Sequence, residues 1–241
     1  MLHENIIIGL IKILIAGIAI GAVAAAAWAV RGRTSSVFGK SVWHGPRDLR
    51  LIALTFDDGP SVGTEEILSV LADYGIPATF FQCGANVDAL PAVARAVVKA
   101  GHEIGNHSYS HPMFALKSRA FVRRQLEQAQ EAIASTTGVT PTLLRAPYGV
   151  RWFGVESLPM TGVMWDVMGV DWKLPAGAIA SRILGRVRNG SILCLHDGRE
   201  LDRSASIANT VEALRLILPS LLERGFEFRT VSQLLCLNKK S

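Results

Sequence analysis

The sequence predicts an α/β fold: a barrel of seven parallel strands alternating with helices, preceded by an N-terminal hydrophobic helix. Three observations carry this prediction. Seven short apolar runs alternate with amphipathic stretches of helical period. The helical stretches have recognisable starts and end on glycine. Polar residues stand at the C-terminal ends of several different strands, and those ends converge only if they close into a ring. An open doubly wound sheet also fits the alternation, but it gathers chemistry at one switch point served by fewer strands.

In chain order, the hydrophobic segment comes first. From Ile6 to Val30 the only charged residue is Lys12, and the 18 residues from Ile13 to Val30 carry none. That length suits a membrane span or the apolar region of an export signal. A buried core helix is a poor reading at the extreme N-terminus. Ala27-Trp28-Ala29 has the small-x-small form of a signal-peptidase site, yet the run is long for a signal, so a retained anchor over 1–30 is expected. A polar, glycine-containing connector follows at 31–50. Strands are expected at 51–56, 78–83, 102–107, 142–147, 162–167, 191–196 and 226–231. Helical spacing fills 62–75, 90–101, 118–138 and 207–225. Glu65 and Glu66 mark the start of the first of these helices, Ser118 caps the third, and Gly75, Gly101, Gly138 and Gly225 end the four. The expected domain covers 51–237 and leaves a tail at 238–241.

Composition narrows the function. Lys and Arg number 25 against 20 Asp and Glu, a net charge of +5, which an ordinary solvated surface accommodates. The basic residues are scattered and lack interleaved aromatics, so no nucleic-acid partner is expected. Cys83, Cys194 and Cys236 form neither a disulfide framework nor a CxxC metal site, and read as free thiols.

The chemistry begins at TFDDGP, where a buried strand ends with Asp57 beside Asp58. Turn chemistry or helix capping explains one carboxylate more easily than two mutually repelling ones. In GNHSYSHP, His107 and His111 are four apart, and Pro112 disfavours a helix at His111, so a loop turn would bring them together. A His pair alone is more often surface chemistry than a metal site. Here, however, three of the six histidines (107, 111 and 196) lie at strand ends or just beyond. Asp58 completes a two-His, one-carboxylate set, which zinc hydrolases and non-haem iron oxygenases both use. With Asp58 on an ion, Asp57 is free to take a proton from water. Arg145 in RAPYG would keep Asp57 ionised. His196 ends SILCLHD, where a structural histidine is the plainer alternative. Asp171 could raise its pKa so that it serves as an acid, with Trp172 as an apolar wall.

Together these stretches resemble the polysaccharide deacetylases of carbohydrate esterase family four, which share the nodulation-protein-B homology domain. TFDDGP, HSYSH and RAPYG are similar to the family's first three motifs, and DW at 171–172 and LCLHD to the last two. The resemblance runs from about Leu51 to Leu237. It implies a distorted seven-stranded (β/α) barrel that removes N-acetyl groups from an amino-sugar polysaccharide or oligosaccharide, peptidoglycan or chitin-like. It also implies one divalent metal ion, usually Zn2+, held by Asp58, His107 and His111. By position, Asp57 would be the base, tethered by Arg145, and His196 the acid, supported by Asp171. Ser108 would brace the His loop, and the Tyr148 N–H would receive the oxyanion. Pro147, Tyr148, Trp172 and Leu195 would contact substrate. Two positions depart from the pattern: Met168 stands where an acidic residue is frequent and Cys194 where Leu is usual, and both bear on the acyl pocket. The alternatives are a deformylase or deacetylase of a lipid-linked aminosugar, and a membrane-tethered glycan-binding pseudoenzyme. Arg31, Arg33 and Lys40 behind the anchor favour a cytoplasmic domain. The resemblance implies the extracytoplasmic side of the cytoplasmic membrane, and that is the expectation adopted.

Overall fold

The computed structural model describes residues 2–236; Leu237 and the tail expected at 238–241 lie outside them. Helix α1 (Leu2–Arg31) stands away from the rest of the protein, and from Ile7 onward its large apolar side chains are exposed. At 1.5 Å per residue it is about 45 Å long, enough to cross a bilayer.

The remaining elements are β1 (Ser41–Val42), β2 (Leu51–Gly59), α2 (Thr64–Asp73), β3 (Thr79–Gln82), α3 (Gly84–Ala89), α4 (Pro91–Lys99), β4 (Glu103–Asn106), α5 (Arg119–Thr137), β5 (Leu143–Leu144), β6 (Thr161–Val163), β7 (Val167–Met168), α6 (Ala176–Leu184), β8 (Ile192–His196), α7 (Ala208–Glu223), β9 (Glu227–Phe228) and α8 (Val231–Cys236). The strands form one parallel sheet in the order β1-β6-β5-β4-β3-β2-β8-β7, with β9 on β2. All seven expected strands form. The fifth is broken: its first half, β6, pairs with β5, and its second half, β7, pairs with β8 at the far end of the sheet. Three residues thus carry the wall across the gap, and this distorts the ring. The expected connector 31–50 is not free chain. It adds strand β1 on β6, and Phe38 is buried against Trp152 and Phe153. The last strand is shorter than expected because α8 begins at Val231.

Side-chain parity decides what faces where. Strand side chains alternate with period 2. Along β2, Ile52, Leu54 and Phe56 face outward and join Phe80, Leu193, Leu195 and the helix faces in the main apolar core. Ala53 belongs to an inner cluster with Phe81, Leu143, Val163 and Ile192, which plugs the barrel. Gly105 pairs with Phe81 in register, and a Cβ there would strike the Phe81 ring. Glycine leaves the room that the large ring fills. Helix α5 follows its sequence signals: the Ser118 hydroxyl accepts from the Phe121 N–H, and Gly138 closes the helix at φ 74°.

Candidate active site

The inward parity that plugs the barrel also builds the site at its C-terminal end. Asp57 and His196 are register partners on β2 and β8, so both side chains point into the barrel mouth. Arg145 follows β5 and is fully buried. It donates to Asp57 Oδ1 at 2.6 Å, to Thr55 Oγ1 at 2.7 Å and to the carbonyls of Val163 and Met164. Its guanidinium also lies over the Phe81 ring, 4.1 Å from the centroid. Asp57 therefore has a fixed counter-charge that cannot be deprotonated.

Asp58 turns the other way, at φ 74°. Its Oδ1 lies 3.3 Å from His107 Nε2 and 3.1 Å from His111 Nε2. Its Oδ2 accepts the Glu200 N–H at 2.9 Å. Burial pushes the Asp58 carboxyl up, but His107 and His111 outweigh it and hold the group well below the usual carboxylate range. His107 Nδ1 is 2.7 Å from the Arg145 carbonyl, a contact that requires Nδ1–H and leaves Nε2 as the lone-pair nitrogen. Ser108, at φ 66°, accepts the His111 N–H on its hydroxyl at 3.1 Å and so braces the turn. The three ligand atoms lie within 4.8 Å of one another and all three residues are buried. This donor set suits a divalent cation: one carboxylate, two imidazoles of which His107 has its tautomer fixed, and a local demand for positive charge. A second grouping, Asp57, Cys194 and His196, is equally close. It suits a cation poorly because Arg145 already occupies Asp57, and burial pushes the Cys194 thiol well up, away from the thiolate.

His196 faces this pair across the mouth. Its Nδ1 lies 2.8 Å from Asp171 Oδ1, while Asp171 Oδ2 accepts both the His196 N–H and the Thr210 hydroxyl, each at 2.8 Å. Burial pushes the His196 pKa down, but Asp171 outweighs it and the group is raised to about 9. The Trp172 ring stands edge-on, 5.0 Å from the imidazole. These groups line a cleft of about 410 Å³, together with Tyr148, Met168 and Trp165.

Two expected substrate contacts are corrected. Leu195 is fully buried in the outer core, because His196 points inward and its neighbour must point outward. Pro147 is buried under the turn that presents Tyr148 and does not line the cleft. Several contributors were not singled out in the sequence. The Asn86 amide donates to the carbonyls of Asp58 and Glu200, 2.8 Å each, and Tyr148 donates its hydroxyl to Glu200 at 2.6 Å. Asp197 is fully buried, held by Thr64 at 2.7 Å, with its pKa raised to about 7 by burial. Its place directly after His196 in LCLHD was the available signal.

The family model described as polysaccharide deacetylase matches residues 44–153. A chitooligosaccharide deacetylase of Sinorhizobium fredii is 39% identical over 194 residues, covering 76% of this chain and 90% of the relative. The chain belongs to the polysaccharide deacetylase family. Another member, a peptidoglycan-N-acetylglucosamine deacetylase of Bacillus cereus, is 32% identical over 82% of this chain and 73% of its own. A solved peptidoglycan N-acetylglucosamine deacetylase, in complex with 4-naphthalen-1-yl-N-oxidanyl-benzamide, superposes with a TM-score of 0.75 at 32% identity. That match covers 80% of this polysaccharide deacetylase chain and 91% of the solved one.

Proposed function

We propose that this polysaccharide deacetylase is a metal-dependent hydrolase that removes N-acetyl groups from amino-sugar glycans of the peptidoglycan or chitin type. One observation carries the reading. Two adjacent carboxylates are divided between a pair of imidazoles and a buried arginine, with a protonatable histidine facing them. Asp58, His107 and His111 would hold the ion, usually Zn2+ in this family. When bound, it supplies Lewis-acid polarisation of an amide carbonyl and makes water at that position more acidic.

The rest follows from the chain's own groups. Asp57, held in place by Arg145, removes a proton from the attacking water. The oxyanion of the tetrahedral carbon is received by the Tyr148 N–H, a donor worth roughly 3–4 kcal/mol. His196, an imidazolium raised by Asp171, passes its proton to the departing nitrogen, so the C–N bond breaks to give acetate and a free amine. Each half of such an acid–base pair contributes about a hundredfold to ten-thousandfold. Trp172 and Tyr148 give the sugar apolar walls.

The membrane reading is that α1 is a retained anchor, with the barrel on the extracytoplasmic side. The support is that the helix end is tied to the barrel, and that relatives are described as peptidoglycan deacetylases, whose substrate lies outside the membrane. Arg31 donates to the Tyr148 carbonyl at 3.2 Å and Arg33 to the Asp166 carbonyl at 3.2 Å.

The test measures acetate released from chitotetraose and from peptidoglycan fragments, beside metal content by elemental analysis. Asp57→Asn is expected to keep its metal and lose about a hundredfold to ten-thousandfold in turnover. His107→Ala is expected to lose both metal and turnover. Intact turnover in Asp57→Asn would overturn Asp57 as the base.

A further inference from the structure

Resting on the deacetylase reading, we propose that the amino sugar reaches this site on a phosphate-bearing lipid carrier, with the catalytic face of the barrel set against the bilayer surface. Three independent observations converge on this.

The first is where the hydrophobic helix ends. Val30 is the last residue of its uncharged stretch, and Arg31, the next residue, lines the catalytic cleft. The junction is not a loose tether. The buried Arg151 donates its backbone N–H to the Val30 carbonyl at 3.1 Å and its guanidinium to the carbonyls of Gly32 and Ser35. The Ser35 hydroxyl donates to the Ala29 carbonyl at 2.9 Å. A helix that leaves the bilayer at Val30 therefore delivers the cleft to the interface within one residue.

The second is where exposed apolar side chains lie. Val62 follows β2, Met113 and Leu116 follow β4, Phe153 follows β5, and Leu201 follows β8. These five sit on segments beyond the C-terminal ends of strands, the end that carries the cleft, whereas Val37 in the connector and Leu216 on α7 are exposed elsewhere. Leu116 is 88% exposed. Sugars stack on flat aromatic rings, whereas Val, Met and Leu side chains suit acyl chains at an interface. At the opposite end Leu49, Tyr74 and Leu222 are exposed, but no membrane-length helix leaves the protein there.

The third is charge. Arg31 and Arg199 are exposed at the cleft, and its one exposed acid, Glu200, is engaged by the Tyr148 hydroxyl. Arg31 gives one N–H to the Tyr148 carbonyl and keeps its other donors, while Asp202 lies beside Arg199 on the same loop. The remaining Arg31 donors, with Arg199 on the facing loop, suit a phosphate linking the sugar to a lipid better than a neutral sugar alone.

The experiment uses the full chain, zinc-loaded, in phosphatidylethanolamine–phosphatidylglycerol vesicles. Cys83 and Cys194 are buried and Cys236 is exposed beside Ile76 and Phe226, at the end away from the cleft. A nitroxide on Cys236 therefore reports the far end, and one on Leu116→Cys in a Cys236→Ser background reports the catalytic face. The 116 label is expected to collide mainly with lipid-soluble oxygen and the 236 label mainly with a water-soluble nickel chelate. In the same vesicles, kcat/KM for polyprenyl-phosphate-linked N-acetylglucosamine is expected to exceed that for chitotetraose and for N-acetylglucosamine-1-phosphate. Arg31→Ala is expected to lower the first by about tenfold and to narrow that preference. A 116 label exposed to water overturns the orientation. Soluble substrates cleaved as fast as the lipid-linked one overturn the carrier and leave the deacetylase reading standing. No acetate from any substrate overturns both.

Discussion

Asp171→Asn isolates how the proposed acid is tuned. Burial alone pushes the His196 imidazole below its ordinary 6.5, and the Asp171 carboxylate at 2.8 Å more than reverses this, to about 9. The acid form is needed for C–N cleavage, so activity holds while His196 is protonated and is lost as pH rises through its pKa. Removing the Asp171 charge leaves burial in control and takes the pKa to 6.5 or below. At pH 8 a group of pKa about 9 is about nine-tenths protonated, and one of pKa about 6.5 about one-thirtieth, so kcat is expected to fall about thirtyfold there and far less at pH 6. A cation on Asp58 cancels the smaller lift that Asp58 and Asp57 give His196, so the diagnostic quantity is the difference between variant and parent. The assay is a pH profile of acetate release from chitotetraose with zinc-loaded protein, with thermal unfolding as a folding check. Asn keeps an oxygen for the Thr210 hydroxyl, which limits collateral damage. An alkaline limb that stays in place while kcat drops evenly at all pH values would refute His196 as the titrating acid.

Two further perturbations test the scaffold beneath the site. Arg145→Ala leaves Asp57 as a buried, uncompensated charge and frees the carbonyls of Val163 and Met164. It is expected to destabilise the fold by about 3–5 kcal/mol in urea titrations, with loss of turnover. Gly105→Ala drives a methyl into the Phe81 ring and is expected to cost about 1–3 kcal/mol while leaving the ion-binding residues in place, read by the same titration and by metal content.

Much of the barrel was legible because buried parallel strands are nearly continuous apolar runs, and 51–56 and 191–196 have no other plausible use. The Asp57–Arg145 and His196–Asp171 partnerships were also legible, since each partner stands at a strand end. Three features were not. The break in the strand expected at 162–167 depends on pairing with β5 and β8, which local sequence does not encode. Leu195 looked like a cleft residue because it neighbours His196; parity from one well-placed inward residue would have turned it outward. Residues 31–50 read as connector because they are polar, although Arg33 and Arg47 flank Trp43, their guanidiniums 5.6 and 5.7 Å from its ring. Basic residues next to an isolated aromatic were the overlooked sign of packing.

The pairing of Asp57 with His196 in register has a consequence for how such a protein could diversify. The two groups that would move protons hang from neighbouring strands of a hydrogen-bonded ladder, where spacing is set at about 4.8 Å by main-chain geometry. The imidazoles that would grip the ion, those of His107 and His111, sit instead at the two ends of a turn whose Ser108 and His111 have positive φ. Remodelling that turn, or the rim around Tyr148 and Trp172, can therefore change the guest without altering the spacing between Asp57 and His196.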